Sequence, residues 1–248
     1  MIKNLMMGTA TLAFSLGMTG VANALIIDTF EEAPQLIVID GPAPPVTTKT
    51  ALDNETAPGA ADGVAVASIL GGYRDISTTL AVSPNPSSST EAENIVGIGG
   101  GYFAHTQETG VGSHSYITWD GLGGAGLGGA DLTDGGSSNK FHLVVLLADS
   151  AAEWSLELFD SDSSDIYVFS NPTDITTPTN LFIPFSVFSG IDFTAIEKIV
   201  FGANTDDALN FDTAVGLFET VGVPEPASMT LLGAGIMGLG YMARRRKA

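Results

Sequence analysis

Between Leu25 and Gly222, apolar and polar positions alternate in short runs separated by Gly, Pro, Asn and Asp. Leu25–Phe30 predicts a first strand and Leu36–Ile39 a second. Gly41–Pro58 is rich in Pro, Thr and Ala and predicts a long loop. Val64–Ile69 and Tyr73–Val82 are strand candidates on either side of Gly71 and Gly72, and Ser83–Thr90 predicts a surface loop. Ile95–Thr106 and Val111–Trp119 carry the period-two alternation of half-buried strands. Gly121–Gly136 is too dense in glycine to hold a regular element. Phe141–Ala148 is the most apolar run between the two ends of the chain and predicts a central strand. Trp154–Asp160 and Ile166–Ser170 predict a hairpin about Ser161–Asp165. Pro184 makes Leu181–Phe188 an edge or bulged strand, because proline cannot donate to a ladder. Ile196–Gly202 and Val215–Val221 complete the set, and Phe193–Glu197 predicts one helical turn. About ten short strands with turn residues between them, and no long helical period, predict an all-β sandwich or barrel.

The two ends follow different patterns. Lys3, the uncharged stretch Leu5–Val21 and the small residues Ala22 and Ala24 around Asn23 have the form of a secretory signal peptide cleaved after Ala24. At the other end, Pro224, Glu225 and Pro226 form a rigid break before Ala227–Ala243, 17 residues without a charge. Arg244, Arg245, Arg246 and Lys247 then form a basic stop. An apolar run of that length is at the short end for a helix crossing ~30 Å of hydrocarbon, and the basic cluster belongs on the cytoplasmic side. The chain thus divides into a signal segment 1–24, an ectodomain 25–222 and a C-terminal segment 223–248.

This C-terminal arrangement closely resembles the PEP-CTERM sorting signal of Gram-negative bacteria that make extracellular polysaccharide. The resemblance implies export through the Sec machinery and transient anchoring in the inner membrane by the C-terminal helix. It further implies recognition of Pro224, Glu225 and Pro226 by exosortase, a membrane protease-transpeptidase, followed by release to the cell surface or extracellular matrix. An ordinary C-terminal tail anchor is the competing interpretation. Within the ectodomain, a second resemblance is carried by Ile27-Asp28-Thr29-Phe30 and Ile199-Val200-Phe201-Gly202. The order Gly71–Asp75, Tyr116–Gly121 and Gly128–Thr133 adds to it. These stretches are similar to the jelly rolls of galactose-binding-like, carbohydrate-binding modules. The expected architecture is therefore a jelly-roll-type β-sandwich flanked by an N-terminal signal helix and a C-terminal transmembrane helix.

Charge sharpens the picture of possible partners. Outside the two terminal segments the cations are Lys49, Arg74, Lys140 and Lys198, against 28 Asp and Glu lying from Asp28 to Glu225. Such a surface repels nucleic acid and anionic lipid. The chain has no cysteine, which removes disulfides, thiol nucleophiles and thiolate metal sites.

Candidate chemistry is sparse. Asp160, Asp162 and Asp165 put three carboxylates in one turn, where Ca2+ finds oxygen ligands; a solvated hairpin turn is the alternative. Asp206, Asp207 and Asp212, with Asn204 and Asn210, form a second acidic loop. The jelly-roll resemblance implies a structural ion near strand ends, to which Asp28 could contribute. Gly121, Gly123 and Gly126 match G-x-G-x-x-G, but no βαβ unit surrounds them, so a dinucleotide site is rejected. His105 and His114 could face each other across a hairpin, and His142 lies on another predicted strand. No G-x-S-x-G elbow is present, and no carboxylate pair stands out for glycoside hydrolysis. Tyr73, Tyr102, Tyr116, Trp119, Trp154 and Tyr167 are candidate sugar platforms. Trp119, at a strand end beside the glycine-rich loop, is the first choice among them. These features point to a non-enzymatic surface or matrix protein associated with extracellular polysaccharide or biofilm. A carbohydrate-binding module with a defined sugar site and a secreted hydrolase are the alternatives.

Overall fold

The computed structural model describes residues 24–40, 47–82, 92–149, 152–171 and 173–222. The signal segment up to residue 23, the loop Ser83–Thr90 and the sorting segment 223–248 lie outside the described residues. The two flanking helices expected there, and the residues Ala22, Pro224, Glu225, Pro226, Arg244, Arg245 and Arg246, therefore lie outside them too. Among the described residues no helix is long and apolar enough to cross a membrane.

The described residues form thirteen strands: β1 (Leu25–Asp28), β2 (Gln35–Asp40), β3 (Thr47–Ala51), β4 (Asp75–Val82), β5 (Ala92–Gly99), β6 (Tyr102–Gln107), β7 (Gly112–Trp119), β8 (Lys140–Ala148), β9 (Glu153–Asp160), β10 (Ser164–Ser170), β11 (Thr179–Pro184), β12 (Ile196–Ala203) and β13 (Asp212–Val221). They make an all-β sandwich of two antiparallel sheets. One sheet runs β11-β8-β13-β6-β5-β2, with β1 added beside β13; the other runs β10-β9-β12-β7-β4-β3. From β6 onward the chain crosses from one sheet to the other at nearly every connection, and only β9 and β10 are neighbours joined by a hairpin. Alternation sets the faces. In β4, and in β8 as far as Val145, buried residues recur at every second position, and the outward positions between them are half-exposed.

Several elements differ from the sequence pattern. The loop predicted over Gly41–Pro58 contains β3, a threonine-rich edge strand without apolar alternation. Val64–Ile69 is not a strand; only Ile69 bridges to Asp28. Ile95–Thr106 is split into β5 and β6 by Gly100 and Gly101, whose φ values of 63° and 87° turn the chain back on itself. Phe141–Ala148 lies one strand in from an edge, between β11 and β13, rather than at the centre of its sheet. Phe193–Glu197 makes a tight turn, not a helix, before running into β12. The hairpin of β9 and β10 and the edge position of Pro184 on β11 are as the sequence predicts.

The core is aromatic and aliphatic. Phe218 contacts the rings of Trp119 at 5.5 Å, Phe141 at 5.5 Å and Phe201 at 6.4 Å, joining residues from both sheets. Against this apolar core sits one fully buried ion pair. Arg74 Nη1 donates to Asp28 Oδ1 and Oδ2, both at 2.8 Å, and both side chains are fully buried. The rest of the guanidinium is satisfied as well: Nε donates to Gln35 Oε1 at 3.1 Å, and Nη2 donates to the carbonyls of Glu32 and Ala33, each at 2.7 Å. Asp28 also accepts from the Phe30 backbone N–H at 2.7 Å and from Trp119 Nε1 at 3.0 Å. Burial pushes the Asp28 carboxyl up and the Arg74 guanidinium down, while each group's charge opposes the shift of the other. The donor-only ring of contacts around Asp28 is that of an ionised carboxylate.

A buried pair is tolerated when every remaining donor and acceptor is met, and removing one partner strands a charge in the core. Arg74→Ala should therefore destabilise the protein by about 3–5 kcal/mol in chemical denaturation. The double change Asp28→Asn, Arg74→Met should cost clearly less than the sum of the single changes. Additive losses would show that the two groups are not coupled.

Candidate functional site

The outer face of the six-stranded sheet carries a cavity of about 600 Å³. Strand register builds it. Val168, Ser155, Gly202, Tyr116 and Ser77 form one row across β10, β9, β12, β7 and β4. Ile166, Glu157, Val200 and Thr118 form the next row. All of these except Gly202 line the cavity, together with Glu153 and Thr205. Gly202 lies in the middle of its row and has no side chain. A Cβ there would collide with Ser155 Oγ, Thr205 Cγ2 and the Tyr116 ring. The glycine thus leaves a floor over which a hydroxyl and an aromatic ring converge.

The groups around this floor are polar and largely fixed. Thr205 Oγ1 donates to Glu153 Oε1 at 2.6 Å. The ring of Tyr116 lies 5.4 Å from that of His114, whose Nδ1 is 2.7 Å from Asp207 Oδ1. Burial, and then the charges of Asp207 and Glu157, push the Tyr116 hydroxyl above its ordinary range. It remains a neutral donor and acceptor at physiological pH. Ile166 and Val168, 53% and 49% exposed, supply apolar surface at one side. The groove therefore offers a ring face, two carboxylates, hydroxyls and exposed aliphatic groups. Glu153 and Glu157 lie four residues apart on one strand, about 13 Å between Cα atoms. Their side chains stand side by side rather than facing each other across a cleft.

The residues singled out from sequence are mostly elsewhere. Trp119 is no ligand platform: it is 0% exposed, packs on Phe218 and donates its indole N–H to Asp28. Trp154 is buried as well, whereas Tyr102 is exposed and Tyr73, Tyr116 and Tyr167 are half-buried. Only Tyr116 of the six lies in the groove. Asp28 belongs to the ion pair with Arg74.

Asp160 accepts from the backbone N–H groups of Asp162, Ser163 and Asp192; that of Asp192, and then that of Asp162, hold its carboxyl down at about 2. Asp165 accepts from the N–H groups of Ile166 and Ser189. The carboxylates of Asp160 and Asp165 thus engage backbone N–H groups, and Asp162 contributes its own N–H to Asp160. Among the described residues, no three His, Cys, Asp or Glu come together in a way that could hold a metal ion. In the second acidic loop, Asn204 is buried and binds the carbonyls of Ser113 and Ala208, while Asp212 accepts from Gln107 N.

His105 and His114 do not face each other across a hairpin, because β6 and β7 belong to opposite sheets. His105 is buried between Ser113 and Ser115, at 2.8 Å and 3.0 Å. Burial, and then the charge of His114, lower its pKa to about 3. His142 is held by Glu219 and Asn180.

The sequence pattern does not reveal an acidic cluster at one end of the sandwich. The carboxylate of Asp53 accepts from Gly123 N at 2.8 Å and so pins the glycine-rich loop, while its backbone N–H donates to Asp75 Oδ1. Burial pushes the Asp75 carboxyl up to about 6, and the charges of Asp120, Asp53 and Glu55 add to the shift against the Asp53 hydrogen bond. These residues come from three separate stretches of the chain, so no local motif announces them.

Residues 222–247 match the PEP-CTERM protein-sorting motif. No curated protein matches the chain in sequence. Among solved structures, the chain is similar to a family 11 carbohydrate-binding module from Clostridium thermocellum, determined in complex with a beta-1,3-1,4-mixed-linked tetrasaccharide. Identity is 14% and the TM-score 0.38, covering 82% of this chain and 97% of that one. It is also similar to the family 30 carbohydrate-binding module of a cellulosomal cellulase from the same organism, at 11% identity and a TM-score of 0.39, covering 81% and 99%.

Asp75 gives a pH signature. Its folded pKa of about 6 lies above the ordinary value of 3.8, so the folded state keeps a proton that the unfolded chain has lost. The stability this contributes is complete below the unfolded value and is lost as pH rises through the folded one. Asp75→Asn, which keeps an acceptor for Asp53 N, should match wild type in Tm near pH ~4 and exceed it near pH ~7. A Tm difference that does not change with pH would overturn this assignment.

Proposed function

We propose that this chain is an exported, exosortase-sorted surface or matrix protein that binds neutral extracellular polysaccharide without catalysis. In this scheme the Sec machinery exports it and a signal segment 1–24 is removed. The ectodomain 25–222 does the binding, and the segment 223–248 anchors the chain in the inner membrane until exosortase acts at Pro224, Glu225 and Pro226. The match of residues 222–247 to the sorting motif supports the export scheme.

The groove over Gly202 is the observation that carries the binding function. A pyranose presents a C–H face to an aromatic ring and a rim of hydroxyls to polar side chains. Tyr116 offers the ring, and Ser77, Thr118, Ser155, Glu153 and Glu157 offer the polar contacts. The groove lies on a sheet face, where an extended chain can pass across the strands.

Charge argues for a neutral glycan. The four cations between the terminal segments are all engaged within the protein. Arg74 is buried with Asp28, and Lys49 Nζ donates to the Val38 carbonyl. Lys140 and Lys198 lie over the rings of Phe182 and Phe159, at 4.5 Å and 3.7 Å. The surface is left with an excess of carboxylates that repels anionic chains. Retaining and inverting glycosidases hold their two carboxyl groups about 5–9.5 Å apart across the scissile bond. Glu153 and Glu157 stand on one strand, and Glu153 is engaged by Thr205, an arrangement that supports binding over hydrolysis.

Affinity electrophoresis through gels containing neutral polysaccharides tests the groove. At least one polysaccharide should retard the protein, and Tyr116→Ala should weaken that binding about tenfold, the loss of about 1.4 kcal/mol expected when an aromatic anchor is truncated. Lack of retardation in every gel, or an unaltered Tyr116→Ala variant, would sink the proposal. The sorting step has its own measure: Glu225→Ala should leave a full-length, membrane-bound form in the host, and an unchanged mature mass would refute processing at this motif.

A further inference from the structure

The two sheets end side by side, the six-stranded one at β10 and the seven-stranded one at β11. Between these edges opens a second cavity, of about 470 Å³. One wall is aromatic: the ring of Phe169 lies 5.7 Å from that of Trp154 and is stacked on Tyr167 at 5.8 Å and 13°. Leu181 and Ile183 of β11 also line the cavity. Threonines 173, 176, 177 and 179 bring hydroxyl-bearing side chains to it, and Asp174 is the one charged residue of the lining.

Strand β10 separates this cleft from the groove. Its residues alternate between two faces, so that Ile166 and Val168 line the groove while Tyr167 and Phe169 line the cleft. The two cavities share no lining residue.

We infer that this cleft is a second glycan site, which takes a single sugar ring of a neutral chain; the ligand class rests on the function proposed above. Three observations point to a sugar ring. The stacked aromatic wall suits the C–H face of a pyranose. The threonine side chains suit its hydroxyls, and the lone carboxylate disfavours an anionic ligand. The lining also leaves hydrogen-bonding capacity unused: Trp154 Nε1 and Asn171 Oδ1 are buried and have no partner, which is uncommon for buried polar atoms. Both atoms belong to residues of the cleft lining. The volume falls in the range of small-ligand pockets, ~300–1,000 Å³.

Tryptophan fluorescence tests this, because the chain has two tryptophans and only Trp154 lines the cleft. The full-length protein, held in a detergent without a sugar headgroup, would be titrated with methyl hexosides and methyl N-acetylhexosaminides, single rings too short to span the groove. At least one should give a saturable change in emission. That change should persist in Tyr116→Ala and weaken about tenfold in Tyr167→Ala and in the volume-conserving Phe169→Leu, with folding checked by circular dichroism. No saturable change with any single-ring probe would overturn the inference. So would a change that Tyr116→Ala abolishes and the cleft variants leave intact. Retention on polysaccharide gels keeps the two sites apart. If it depends on Tyr116 while Trp154 stays silent, the groove stands and the cleft falls. If Trp154 responds without any gel retention, the cleft stands alone.

Discussion

The pair of Asp28 and Arg74 is the constraint on which the sandwich depends. Desolvating two charges is costly, and the cost is offset only when geometry and hydrogen bonding are complete. Here completeness requires four strands to meet correctly: Asp28 ends β1, Gln35 begins β2, Arg74 directly precedes β4 and Trp119 ends β7. β1 and β2 belong to one sheet, β4 and β7 to the other. A slip of one residue in any of them would strand a donor or an acceptor in the core. The hydrophobic contacts around Phe218 supply bulk stabilisation, but apolar burial is not directional. The ion pair adds the direction that apolar packing lacks.

That frame explains how two cavities are placed back to back. The sheet faces are fixed by alternation, so one strand presents alternate residues to two environments. On β10 the environments are the groove and the cleft, and the strand is the partition. Gly202 has the complementary role in β12. Its missing side chain removes one tooth from a row of five, and Tyr116, Ser155 and Thr205 close over the gap. The same absence that weakens a strand interior opens a surface that a ligand can approach.

Charge separates the roles of the interior and the surface. Arg74 is buried, Lys49 binds a backbone carbonyl, and Lys140 and Lys198 lie over aromatic rings, while carboxylates dominate the exterior. At the end near the glycine-rich loop, Asp75 is buried beside Asp120, Asp53 and Glu55, and burial first, then these charges, push its carboxyl up. A surface of this kind repels anionic molecules.

The sequence by itself determined the sorting motif and the class of fold. The sorting motif is contiguous, and its break, apolar run and basic stop are read in order along the chain. Alternation is also local, which is why β4, β7, β8 and the hairpin of β9 and β10 were legible. β3 was not, since its Thr-rich edge buries little and carries no apolar period. The boundary between β5 and β6 was hidden because alternation continues across the glycine turn. Only the tertiary structure decided the sites. Trp119 and Tyr116 stand three residues apart on one strand, yet opposite faces send one into the core and the other to the groove. Which face becomes core depends on the sheet that packs against it. The groove likewise joins Ser77, Tyr116, Glu157 and Gly202, residues brought together by strand register rather than by proximity in the chain. Local pattern encodes the two faces of each strand, and long-range pairing alone determines which faces meet.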